Sequence, residues 1–121
     1  MNQDIKIIKE RISENELRLF LNKPFVDIIK FVVDVEKEII ALGGEMHADA
    51  EQILLENNSE QKNLWGGNIY PEAQGRVRIE YESFINIRPS QNNRSMEIEE
   101  NELKEKIKNV LEKIINVKFV D

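Results

Sequence analysis

The segment Glu45 to Glu51 combines residue types that can move a proton or bind a metal. It holds three carboxylates, Glu45, Asp49 and Glu51, and also His47, the only histidine in the chain. Polar and apolar residues alternate through it, which predicts a β-strand with these four side chains on one face. Residues two apart on a strand are separated by about 6.6 Å, so His47 and Asp49 could share one divalent ion such as zinc, manganese or magnesium. His47, Asp49 and Glu51 are therefore the candidate catalytic residues, with His47 as a proton carrier.

Two other interpretations of this segment stay open. A solvated sheet face would pair its carboxylates with Lys30 or Lys37 on a preceding strand. A helix would instead make a stripe of Met46, Ala50 and Ile53 and would turn Asp49 away from His47 by about 200°.

The string INIRPSQNNRS, residues 85–95, is a second candidate site, suited to an anionic ligand. Arginine binds carboxylate or phosphate through two parallel hydrogen bonds, and four of the six arginines lie between Arg76 and Arg94. The structural alternative is a loop whose Ser, Asn and Pro residues only satisfy turn geometry. The predicted ligand-binding residues are Asn86, Arg88, Gln91, Asn93, Arg94, Ser95 and, from LWGGNIYP, Trp65. Trp65 could wall a pocket, although a lone tryptophan in a small protein is more often part of the core.

The two ends of the chain predict their elements most clearly. Ile5 to Ile8 is a short β-branched run typical of a strand, and Ser13 and Glu16 have the spacing of a capping box for a helix from Glu14 to Asn22. After the cap Asn101, apolar residues recur at steps of three and four, which predicts a longer C-terminal helix.

The middle of the chain is ambiguous at one place. Val26 to Leu42 has the length of a helix, but eight of its residues are Ile or Val, which favours a strand. In that interpretation Gly43-Gly44 forms a hairpin turn, and Glu45 to Leu55 returns antiparallel. The alternative is one long helix that ends at Gly43.

Further strands are predicted in the second half. Leu64 to Pro71 is a short strand broken at the glycine pair, Gln74-Gly75 is a turn, and Arg76 to Glu82 alternates as a half-buried strand. Phe84 to Arg88 alternates again after a bulge or turn at Ser83. The chain is thus predicted to be a single α+β domain, residues 1–121, with a mainly antiparallel sheet of four to five strands and two helices packed on it.

Composition excludes several classes of function. There is no cysteine, which rules out disulfides, thiolate metal sites and cysteine nucleophiles and favours a cytoplasmic location. No segment resembles a signal peptide or a membrane span. A net charge of −6 argues against non-specific binding to nucleic acid or to an anionic membrane.

The strings HADAE and INIRPSQNNRS, with LWGGNIYPE between them, resemble a family of short bacterial and archaeal proteins of unknown function. The likeness covers most of the chain. It implies no activity, and no functional residue follows from it.

Two functional hypotheses follow from the residues. In the first, the HADAE segment and the INIRPSQNNRS loop together form a site for a small molecule or an anion, assisted by a divalent metal. In the second, the protein is a non-catalytic binding or assembly module that joins a protein partner or a second copy of itself.

Overall fold

A six-stranded sheet organises the fold, and a computed structural model describes it for residues 4–73 and 76–120. The strands are β1 Lys6–Ile8, β2 Ile29–Asp34, β3 Ile39–Leu42, β4 Leu64–Ala73, β5 Arg76–Glu80 and β6 Phe119–Val120. The helices are α1 Glu14–Arg18, α2 His47–Glu56 and α3 Asn101–Ile114, with short 3₁₀ turns at Gln61–Asn63, Phe84–Asn86 and Pro89–Gln91. The strand order is β1-β3-β2-β4-β5-β6, antiparallel except for the β5 and β6 pair. The α+β class is confirmed, with six strands rather than four to five. The predicted turn Gln74-Gly75 lies outside the described residues.

Both predicted terminal helices are present. The capping box of α1 forms as expected: the Ser13 hydroxyl accepts from the Glu16 amide at 3.1 Å, and Glu16 Oε1 accepts from the Ser13 amide at 2.9 Å. This helix ends at Arg18 rather than at Asn22. Helix α3 begins at Asn101, but the residue at its cap position is Glu100, and no side chain caps it.

The ambiguous stretch from Val26 to Leu42 contains two strands and the hairpin between them. Asp34 ends β2, and its buried carboxylate accepts from the amides of Glu36 and Lys37 at 3.0 and 2.9 Å. Glu38 then takes a left-handed conformation with a φ of 56°, and β3 starts at the next residue. The strand preference of the β-branched residues was therefore right, while the predicted hairpin turn at Gly43-Gly44 was wrong.

Gly43 and Gly44 instead connect β3 to helix α2. Their φ angles of 99° and 87° are ones that residues with a Cβ rarely adopt. A Cβ on Gly43 would also lie 2.3 Å from the Asp4 carbonyl oxygen. The chain leaves the sheet here, and the predicted strand from Glu45 to Leu55 is wrong because His47–Glu56 is helical.

The glycine pair of LWGGNIYP does not break its strand. β4 runs through Gly66 and Gly67 without interruption and pairs with β2 from Leu64 to Ile69. A Cβ on Gly67 would lie 2.4 Å from Phe31 Cζ, and a Cβ on Gly66 would lie 2.9 Å from Ser83. Both glycines are needed because other groups pack directly on the backbone of β4.

Each face of the sheet has its own apolar cluster. Helices α1 and α3 pack on one face against Phe31, Trp65 and Ile79, while α2 packs on the other against Val32, Ala41 and Leu64. Helix α2 contacts β2, β3 and β4, and the second face also carries the polar residues of β4 and β5 described below. None of the helices formed by the described residues is long and apolar enough to cross a bilayer.

Candidate functional site

The first residue of helix α2, His47, lies directly on the glycine pair of β4. Its Nε2 is 2.7 Å from the carbonyl oxygen of Gly67, and its Cδ2 would be 3.2 Å from a Cβ on Gly66. Because a carbonyl can only accept, Nε2 carries the proton and donates it to Gly67. The sequence predicted His47 on a strand, whereas the structure places it at the start of a helix.

His47 is uncharged at neutral pH. Burial lowers the pKa of His47 from 6.5 to about 4, although the hydrogen bond to Gly67 acts in the opposite direction. The positive charge of Lys30 lowers the pKa further, whereas the side chain of Asn68 raises it. With Nε2 protonated, the neutral ring presents a lone pair at Nδ1.

A group of polar side chains lies beside His47 on the same face of the sheet. The backbone register aligns Lys30 of β2 with Asn68 of β4, and Asn68 with Glu80 of β5. Tyr70 follows on the same face of β4, because residues two apart on a strand point the same way. We call these five residues, Lys30, His47, Asn68, Tyr70 and Glu80, the polar face.

Hydrogen bonds hold the carboxylate of Glu80 at the centre of the polar face. Asn68 Nδ2 donates to Glu80 Oε1 at 2.9 Å, and the Tyr70 hydroxyl donates to the same oxygen at 3.1 Å. Burial lowers the pKa of Lys30, and the nearby charge of Glu80 partly offsets this. Burial and the hydrogen bond to Glu80 raise the pKa of Tyr70. Several shifted groups in one cluster are typical of a binding or catalytic site.

One acceptor on the polar face lacks a donor among the described residues. Asn68 is 7% exposed, and its Oδ1 is buried without a hydrogen-bond partner. A buried acceptor without a donor costs roughly 1–3 kcal/mol, so this atom favours a ligand that brings an N–H or O–H group.

Of the other two predicted catalytic residues, helix α2 turns Asp49 away from His47 and keeps Glu51 on the same side. Asp49 is two residues after His47, which turns it about 200° around the helix axis, so the strand spacing from which the metal pair was predicted is not present. Glu51 lies one turn after His47, and its Oε2 is buried without a partner. Within residues 4–73 and 76–120, no group of three or more His, Asp or Glu side chains is placed to hold a metal ion.

Side chains of the predicted anion loop form hydrogen bonds with the backbone of β4 and within the loop's own turns. Asn86 is fully buried, and its side chain takes the place of a neighbouring strand: Oδ1 accepts from Gly66 N and Nδ2 donates to Gly66 O, both at 2.9 Å. The predicted strand from Phe84 to Arg88 is wrong, because Phe84–Asn86 is a 3₁₀ turn. The turn expected at Ser83 is present, with its hydroxyl accepting from the Ile85 amide.

The guanidinium of Arg88 also bonds to groups within the protein. Its guanidinium donates to the carbonyl oxygens of Gln61 and Leu64 and to Gln91 Oε1, and it lies 3.9 Å from the centre of the Trp65 ring. Burial lowers the pKa of Arg88, while the charge of Glu51 raises it. Trp65 is 4% exposed and belongs to the core, and Arg88 is 8% exposed, with its Nε buried and lacking a hydrogen-bond partner among the described residues.

The remaining loop residues divide into a buried residue and two exposed ones. Asn93 is 3% exposed and donates to the carbonyl oxygens of Asn86, Ser95 and Glu97. Arg94 and Ser95 are exposed, and the Arg94 amide and the Ser95 hydroxyl both bind Glu99 Oε2. The structure brings helix α2 and the turn that begins at Ser83 into contact at Gly66, while the side chains of Asn86, Arg88 and Asn93 bond to backbone groups.

Sequence reasoning missed Asn68 and Glu80, and it named Lys30 only as an ion-pair partner on a solvated sheet face. A signal was present, since Asn68 and Glu80 are polar residues in the interior of two runs that otherwise suit strands. Their strands are separated in sequence, so only the pairing of β2, β4 and β5 reveals that they are neighbours.

Replacing Asn86 by alanine tests whether the loop is structural. We expect Asn86→Ala to lower the free energy of unfolding by about 3 kcal/mol, because the buried N–H and C=O groups of Gly66 lose their partners. Urea unfolding measures the change. Asn92→Gly is the matched control, since Asn92 is exposed with a φ of 62° that glycine adopts readily, and its change should stay below about 0.5 kcal/mol. Equal stability of Asn86→Ala and the native protein would contradict this role.

The lowered pKa of His47 predicts a dependence of stability on pH. The unfolded chain binds a proton near pH 6.5 and the folded protein only near pH 4, so this contribution is complete above pH 6.5 and is lost as pH falls toward 4. Between pH 7.5 and 5 the native protein should lose about 2 kcal/mol more than His47→Gln, which still donates to Gly67. Urea unfolding at both pH values checks this, and equal losses would refute it.

Comparison with known proteins completes the description of the site. A search of curated proteins and a search of solved structures each returned no significant match. Residues 6–114 match the model of a family described as protein of unknown function, DUF5674. This agrees with the resemblance seen in the sequence and covers the polar face, helix α2 and the Asn86 to Ser95 loop. The chain therefore belongs to the DUF5674 family.

Proposed function

We propose that the protein binds a small molecule on the polar face, through hydroxyl or amide groups of that molecule. The observation that carries this proposal is the buried Asn68 Oδ1, which lacks a donor beside His47. A hydroxyl or amide group can donate a hydrogen bond to Asn68 Oδ1 or His47 Nδ1. An ammonium group could donate too, but the positive charge of Lys30 would repel it. A polyol, a sugar or a simple amide is the class of ligand that fits.

The charged groups around the polar face carry both signs. Lys30 and Arg78 are cationic, Arg78 lies 5.1 Å from the centre of the Tyr70 ring, and Glu80 and Asp27 both act on Tyr70 as negative charges. This balance supports a neutral ligand more strongly than an anion. The proposal keeps His47 and the small-molecule hypothesis but replaces the INIRPSQNNRS loop by residues of β2, β4 and β5.

Backbone NMR shifts test this proposal with ribose, glucose, glycerol and acetamide at millimolar concentration. We expect at least one compound to shift the amide signals of His47, Asn68 and Glu80 in a saturable way. Asn68→Leu removes the acceptor at similar volume, so binding should weaken about tenfold. Asn101→Leu, an exposed asparagine on α3, serves as the control and should bind normally.

Two results would contradict the proposal. One is a native protein in which none of these compounds produces a saturable shift. The other is Asn68→Leu binding as tightly as the native protein. If Asn68→Leu does not give a folded spectrum, His47→Gln replaces it, because glutamine keeps the bond to Gly67 but lacks the Nδ1 lone pair.

We propose assembly with a second copy of the chain as the second candidate function, favoured by two exposed apolar side chains. Met46 is 58% exposed and Phe84 is 75% exposed. They directly adjoin His47 and Ser83, which both pack against Gly66. Exposed apolar residues grouped in this way are typical of a contact surface.

The oligomeric state tests this second candidate. Size-exclusion chromatography with light scattering should show a dimer that Met46→Ser/Phe84→Ser converts to a monomer, because apolar burial drives the contact. Leu19→Ser/Val26→Ser is the control, since these residues are 68% and 73% exposed but lie next to and beyond α1. A native protein that stays monomeric at high concentration, or a control that dissociates equally, would rule out this surface.

A further inference from the structure

A cleft at the opposite end of β4 from the glycine pair has a different chemical character. It has a volume of about 430 Å³ and is lined by Glu14, Arg18, Pro71, Arg76, Val77, Val117, Lys118 and Val120. A volume above about 300 Å³ is in the range of small-molecule sites. Among the described lining residues, three are cations and one is a carboxylate.

Contacts within the fold set the position of one of the three cations, Arg18. Arg18 Nη2 lies 2.8 Å from Glu14 Oε2, one turn earlier on α1, and 3.5 Å from the carbonyl oxygen of Pro71. These contacts hold its charge at the edge of the cleft. The carboxylate of Glu14 is thereby paired with Arg18, and it offsets the charge of Arg18 rather than that of Arg76 or Lys118.

Arg76 and Lys118 supply the charge that remains. They come from adjacent elements, because Arg76 begins β5 and Lys118 immediately precedes β6, its parallel neighbour. Within residues 4–73 and 76–120, neither side chain forms an ion pair. Two cations without carboxylate partners in one cleft favour an anion, and a phosphate dianion gains more from them than a monoanion does.

The remaining lining residues are apolar. Val77, Val117 and Val120 come from β5, from the segment after α3 and from β6. They offer a surface for a compact hydrocarbon or aromatic group next to the cations. From this combination we infer that the cleft binds a phosphate monoester whose organic part is small and apolar. The site is separate from the polar face and does not depend on the proposed function.

Phenyl phosphate is the probe for this site, with inorganic phosphate and benzoate for comparison. Isothermal titration should give the tightest binding for phenyl phosphate. Inorganic phosphate lacks the ring that would contact the valines, and benzoate carries only one negative charge. At a concentration ten times its dissociation constant, phenyl phosphate should raise Tm by about 5 °C.

Paired variants separate the site from the general charge of the protein. Arg76→Ala/Lys118→Ala should weaken phenyl phosphate binding at least tenfold. Lys9→Ala/Lys62→Ala removes the same charge from exposed positions outside the cleft and should change affinity less than twofold. Val77 is not altered, because it also packs in the core.

Three outcomes would overturn the inference. The first is a native protein that does not bind phenyl phosphate at millimolar concentration. The second is equal loss of binding in the two double variants, which would show attraction by net charge alone. The third is equal affinity for phenyl phosphate, inorganic phosphate and benzoate, which would remove both the valines and the dianion from recognition.

Discussion

The absence of side chains at Gly66 and Gly67 is the constraint on which the arrangement around β4 depends. On one side of the strand, the ring of Phe31 packs where a Cβ of Gly67 would be. On the other, His47 and Ser83 approach the backbone at Gly66. Glycine in a strand interior usually weakens the strand, and here that cost is offset by packing that no larger residue would permit. Helix α2 and the turn after Ser83 can therefore meet on the same two residues.

The close approach also creates a demand for hydrogen bonds. β5 pairs with β4 only from Asn68 onward, so the backbone of Leu64 to Gly67 has no neighbouring strand on that side. Asn86 and Arg88 supply the missing donors and acceptors, Asn86 to Gly66 and Arg88 to the carbonyl of Leu64. The polar side chains from which a ligand site was predicted in this loop form the hydrogen bonds that the buried edge of β4 requires.

The close packing at Gly66 and Gly67 also explains why His47 is uncharged. Packed against glycine backbone at the start of α2, the imidazole loses contact with water, and its uncharged form is favoured. Its one proton is held by Gly67, so Nδ1 and the neighbouring Asn68 Oδ1 are both acceptors. Among the described residues, the buried atom of the polar face without a partner is thus an acceptor, Asn68 Oδ1, whereas that of the INIRPSQNNRS loop is a donor, Arg88 Nε.

Local sequence determined the elements whose signals lie within a few residues. The Ser13 capping box, the periodic apolar residues of α3 and the β-branched residues of β2 and β3 correspond to elements of the structure, because each depends on hydrogen bonds or periodicity within one segment. Alternation in Glu45 to Glu51 was misleading, since the same residues also suit a helix with His47, Ala50 and Leu54 buried.

Tertiary structure alone decided which polar residues became neighbours. Lys30, Asn68 and Glu80 meet through strand register, and the Arg88 guanidinium is engaged by carbonyls more than twenty residues away in the chain. Sequence therefore specified His47 as a residue capable of chemistry, but its partners depended on long-range pairing that no local pattern encodes.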